Sequence, residues 1–188
     1  MKSSATISAN TATTRAEMRF VGIQRSPSEG IWKAALCEQP SRKRHPHQRR
    51  IPNTALERAE ACLHRIGRQL AKAGDFATPY GLVVGKIGSF KGIGALTLYD
   101  IAHGIGARFG KALWLVYLHA GTMTSSRVFN ISGDSFDQRG LPKAFSRLAP
   151  YEIEDCLCIY KDELLDGEDS RTACHKFGCA VALRQRSA

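Results

Sequence analysis

The sequence predicts a mainly α-helical fold: a single compact helical domain with flexible N- and C-terminal tails. Two observations carry this. Apolar residues recur at helical spacing in three segments: Leu56, Ala59, Leu63, Ile66 and Leu70; then Leu98, Ile101 and Ile105; then Ile153, Leu157, Tyr160 and Leu164. Helix punctuation surrounds those segments, with Gly74 as a stop and Pro142 and Pro150 as starts. A length of 188 residues suits one domain plus tails. The reading places a basic, largely disordered arm at 1–50, the helical domain at 51–166 with a hairpin at 90–102, and a tail at 167–188.

Charge narrows the partners. The chain has 27 Lys and Arg against 17 Asp and Glu, a net charge of +10. The excess lies in the first two-thirds, because residues 121–188 hold nine basic and ten acidic side chains. Such an imbalance points to an anionic partner, nucleic acid or a membrane surface. No apolar run approaches bilayer length, so the expectation is a soluble, cytoplasmic chain with no membrane partner, for which association with the nucleoid is open. The six cysteines then sit in a reducing compartment and need not pair.

The first twenty residues lack an apolar core and do not make a secretory signal. Their Ser, Thr and Ala content is that of a disordered tail, with a faint likeness to an organelle transit peptide. Arg19–Ile23 reads as a short strand and Ile31–Cys37 as a short helix, with little core contribution from residues 1–50. Ser41 to Arg50, SRKRHPHQRR, is the most charged stretch. Its Arg42, Lys43, Arg44, Arg49 and Arg50 form either a nucleic-acid arm or a solvated linker. A helix follows from Asn53 or Thr54 to Gly74, and Glu57 stands three residues after Thr54, as a capping box requires.

Residues 91–110 read KGIGALTLYDIAHGIGARFG, with Gly-Ile-Gly at 92–94 and again at 104–106. Glycine costs about 1 kcal/mol relative to alanine inside a helix, so each insertion needs a reason. The first tripeptide follows a short apolar segment, Tyr80 to Ser89, and precedes the stripe Leu98, Ile101, Ile105. Its glycines suit a sharp turn with positive φ and close approach to another surface, with Ile93 as the anchor. The turn ends at a helix N-terminus, where unpaired N–H groups and the dipole favour an anion. The second tripeptide lies inside the continuing stripe and reads as architecture.

Val83 to Ala102 resembles the helix-hairpin-helix motif, which pairs a Gly-hydrophobic-Gly turn with a helix often carrying a Thr, here Thr97. The wider block from Lys91 to Thr122 also resembles small bacterial proteins of unassigned function that share GIG-x-x-T-x-Y-D and Y-L-H-A-G stretches. The motif implies sequence-independent binding of double-stranded DNA through Lys86, Lys91, Gly92, Ile93, Gly94 and Thr97, with phosphate on backbone donors. An ordinary helix–turn–helix corner in an all-α core is the competing reading.

Catalytic residues are not expected. Base-excision glycosylases place an Asp about twenty residues after this motif. Trp114 stands there instead, and no acid lies between Ile101 and Gly133. His119 reads as a core histidine with no acid to orient it. Asp134 and Asp137 read as turn-formers. Cys156 and Cys158, about 200° apart around a helix, make a poor metal pair. Cys174, His175 and Cys179 are a better half-site without a partner half, so neither metal nor cofactor is expected. The acidic stretch from Glu152 to Asp169 is expected to lie against the basic first half. The predicted function is therefore non-enzymatic DNA binding. The alternatives are a protein-interaction module with a structural hairpin, or a DNA-processing enzyme fragment lacking the glycosylase Asp.

Overall fold

The structure, a computed structural model, describes residues 16–45 and 48–165. The fold is mainly helical, as the periodicity predicts. The chain falls into two compact units, one spanning Thr14–Ala112 and the other beginning at Leu113. Among the described residues, no helix is long and apolar enough to cross a membrane.

The first unit contains α1 at residues 16–22, α2 (Pro27–Ala35), α3 (Asn53–Arg65), α4 (Gly67–Lys72), α5 (Ala77–Ile87) and α6 (Ala95–Arg108). Residues 16–45 and 48–50 are folded, which corrects the expectation of a disordered arm. The predicted strand at Arg19–Ile23 is the end of α1, and Ile23 N–H closes its last turn on the Arg19 carbonyl at 3.0 Å. Ile23 itself is 70% exposed, so the segment has no apolar register to pair in a sheet. The predicted helix at Ile31–Cys37 is α2, which begins four residues earlier. Ser26 Oγ accepts from Glu29 N–H at 3.1 Å and Pro27 opens the helix, a complete N-terminal signature.

α2 puts Ile31, Ala34 and Ala35 into the core beside Leu56, Leu63, Leu70, Ile101 and Ile105. A fully buried Leu or Ile contributes about 1.5–3 kcal/mol of transfer free energy, so α2 is integral to this unit. The close fit of α2 on α6 explains the second Gly-Ile-Gly. A Cβ on Gly104 would lie 2.9 Å from the Ala34 Cβ, and one on Gly106 would lie 3.0 Å from the Phe76 ring. α6 runs through both glycines to Arg108; they admit neighbours rather than end the helix.

The expected capping box at Thr54 does not form. α3 starts one residue earlier, with Pro52 at the N-cap and no side-chain cap, and the Asn53 carboxamide oxygen accepts from Arg44 instead. The long helix predicted to Gly74 is broken at Ile66, whose φ of −104° and ψ of 14° leave helical space before α4 begins. The apolar stripe survives the break, with Leu56, Ala59, Leu63, Ile66 and Leu70 all buried.

In the second unit, β1 (Val116–Tyr117) pairs antiparallel with β2 (Ser135–Phe136), Val116 opposite Phe136. α7 (Ala120–Ser126) lies between the two strands in the chain, and α8 (Pro150–Ile159) and α9 (Lys161–Leu165) come after β2. The core gathers Val116, Leu118, Phe145, Ile153, Cys156, Leu157, Tyr160 and Leu164. The C-terminal helix predicted as continuous is interrupted at Tyr160, although its apolar face is as expected. The acidic face is not uniformly outward, because Glu152 and Glu154 are buried. Glu152 turns back to accept from the Ala149 N–H at 2.9 Å, which caps α8.

Candidate nucleic-acid interface

α5 and α6 are joined by residues 88–94. Phe90 N–H bonds the Ile87 carbonyl and Ile93 N–H bonds the Phe90 carbonyl, both at 3.0 Å, so the chain reverses in two tight steps. Ile93 is buried and anchors the turn. Only Gly92 has positive φ, at +92°, where a side chain would be strained. Gly94 does not share this need, contrary to the expectation for both glycines. Its φ of −103° and ψ of 176° are ordinary extended backbone.

Gly94 is the N-cap of α6, and no side chain caps that helix. A Cβ built on it would meet nothing within 4 Å. The first intrahelical bond is Leu98 N–H to the Gly94 carbonyl at 3.0 Å, which leaves the amides of residues 95–97 at the helix mouth. Gly94 and Ala95 are exposed there, so the positive end of the dipole has an open approach at the start of α6.

The predicted site residues divide. Lys91, Gly92 and Gly94 are exposed at the turn, and Lys86 is exposed in the last turn of α5, where its charge also suits that helix's C-terminal dipole. Thr97 is buried and turns inward. Its hydroxyl donates to Gln48 Oε1 at 2.9 Å, so it is a scaffold residue and not a phosphate contact. Gln48 Nε2 donates in turn to the Asp100 carboxylate, which is thereby engaged from inside the fold. Within the basic stretch, Arg42, Lys43, Arg49 and Arg50 are exposed. Arg44 is not available to a ligand, because its guanidinium donates to the Ile51 carbonyl at 2.7 Å and to Asn53. Cys37 lies close to this network. Burial pushes its thiol above the ordinary range, and the Asp100 carboxylate adds to the effect, so the thiol stays protonated and inert.

Sequence reasoning missed Gln48, the side chain that ties the basic stretch to α6, since a glutamine among arginines carries no pattern. It also missed a groove of about 490 Å³ beside the hairpin, walled by Pro52, Thr54, Ala55 and Arg58 from the start of α3 and by Phe90, Lys91 and Gly92 from the turn. The Arg58 guanidinium lies over the Phe90 ring, 4.9 Å from its centroid.

In the second unit, the expectation that His119 has no acid is overturned. Glu154 accepts from His119 Nε2, and both are buried. His119 also caps α7 through its backbone, its N–H donating to Thr122 Oγ1 at 2.8 Å. Asp137 is a turn-former, accepting from Arg139 N–H at 2.8 Å and pairing with its guanidinium, which holds the carboxyl down to about 2. Among the described residues, no group of three or more His, Cys, Asp or Glu side chains is placed to hold a metal ion. Cys174, His175 and Cys179 lie outside them. No protein-family model, curated protein or solved structure matches the chain.

Proposed function

We propose that the Thr14–Ala112 unit binds double-stranded DNA without sequence preference, through the turn at Gly92–Gly94, as a non-enzymatic helix-hairpin-helix module. One observation carries the reading. Gly94 is required neither by its backbone angles nor by packing, yet its missing side chain keeps the uncapped mouth of α6 open. Lys91 at the turn and Arg49 and Arg50 just before α3 supply exposed positive charge. A phosphate accepts from the amides of residues 95 and 96, and contacts of this kind carry register but no sequence information. A cytoplasmic, nucleoid-associated location accords with that activity.

Trp114, 75% exposed in the second unit, favours a second reading as a protein-interaction module in which the hairpin is structural. Fluorescence anisotropy with a short duplex at about 50 and 200 mM salt separates the two, since several phosphate contacts give a steep salt dependence. Gly94→Val is the informative variant. Valine fits the extended backbone and the open space, and costs the helix cap only about 1 kcal/mol. We expect it to lower duplex affinity at least about tenfold while the thermal melt stays cooperative. Unchanged affinity in Gly94→Val would remove the hairpin from the interface.

A further inference from the structure

The groove beside the hairpin has a shape and chemistry of its own. Its volume is about 490 Å³ and it stands half-open to solvent. Pro52, Ala55 and the Phe90 ring make its walls partly apolar, and both of its charged side chains, Arg58 and Lys91, are cations. The Arg58 guanidinium lies over the Phe90 ring, 4.9 Å from its centroid, and both are planar groups of the kind on which nucleobases stack. Gly92 belongs to both the groove wall and the turn, so the groove adjoins the open mouth of α6.

We propose that this groove receives an unpaired nucleobase of a DNA strand whose neighbouring phosphate rests on the first turn of α6. The protein then prefers DNA carrying an extrahelical or single-stranded nucleotide to continuous duplex. This inference rests on the hairpin reading and deepens it. The base stacks on the Arg58–Phe90 pair, Lys91 faces the strand's phosphates, and the Thr54 hydroxyl offers a donor or acceptor to the base edge. A base inside a continuous helix cannot reach such a groove, which is the source of the preference.

The test uses the full chain, a short intact duplex, and the same duplex with one extrahelical adenine or 2-aminopurine. We expect the interrupted duplex to bind about tenfold or more tightly, with quenching of the 2-aminopurine on binding. Arg58→Lys keeps the charge but loses the planar surface. It should abolish both the preference and the quenching while intact-duplex affinity stays within about twofold. Phe90→Leu, which keeps apolar bulk, is the second variant and decides the matter if the first melts abnormally. Equal binding of the two duplexes with unchanged 2-aminopurine emission overturns the groove assignment and leaves the hairpin reading standing. A preference that survives both substitutions also overturns it. Failure to bind either duplex overturns both readings and turns attention to a non-nucleic occupant.

Discussion

His103 is the residue whose environment departs furthest from water. It lies inside α6, with the Phe76 ring edge-on at 6.2 Å and Tyr99 at 5.5 Å, and burial lowers its pKa from 6.5 to about 4. The unfolded chain takes up this proton near the ordinary value, whereas the folded chain resists until about pH 4. Its contribution to stability is therefore full above about pH 6.5 and is lost as pH falls through that window, amounting to about 3 kcal/mol. Urea denaturation at pH 7 and pH 4.5 should show the drop, and His103→Gln should flatten it. An identical pH slope in the variant would mean that other groups dominate. Gly104, the next residue, faces the opposite constraint: its neighbour Ala34 already occupies the space a methyl would need. Charge at one position and volume at the next thus fix the same turn of α6.

Among the elements, the contact between the basic stretch and α6 depends on one side chain. Gln48 is 1% exposed and satisfies both Thr97 and Asp100. Gln48→Ala leaves a buried hydroxyl and a carboxylate without that partner, and should cost about 1–3 kcal/mol by chemical denaturation. A loss below about 0.5 kcal/mol would show that water replaces the amide readily. This element also shows where the sequence was readable. The helical stripes at Leu56–Leu70 and Leu98–Ile105 predict the helical segments that become α3 with α4, and α6, because burial repeats at the helical period. The turn at Gly92 was readable because positive φ nearly demands glycine. α1 reads as a strand because Arg19–Ile23 is too short to show a helical period, and α2 reads as a helix with a late start although Ser26-Pro27-Ser28-Glu29 marks its beginning. The groove was invisible, since Arg58 and Phe90 are thirty-two residues apart and each looks like an ordinary surface or turn residue alone.

At the level of the whole molecule, the division at Leu113 and the burial of α2 set what can be removed. A chain starting at Ile51 loses Val21, Ile31, Ala34 and Ala35 from the core of the first unit, which exposes Gly104 and the α6 stripe beneath them. We expect the first unit of such a chain to lose its cooperative transition, leaving only that of the unit beginning at Leu113, because several kcal/mol of burial vanish from a unit of marginal stability. Circular dichroism through a thermal ramp reads this directly. A truncated chain that keeps the helical signal and the sharp transition of the whole chain would restore the view of residues 1–50 as an appended arm. Deleting the basic stretch therefore cannot test its charge; single substitutions at Arg49 and Arg50, both exposed, can.

The two tryptophans fall one to each unit. Trp32, 39% exposed, packs on α2 with the Lys33 ammonium 4.3 Å from its ring centroid, while Trp114 is 75% exposed. An indole already bathed in water changes its emission little when its surroundings melt, whereas a half-covered one beside a cation shifts as it is released. Intrinsic fluorescence excited at the indole band is thus a private reporter of the Thr14–Ala112 unit, blind to most of what happens after Leu113.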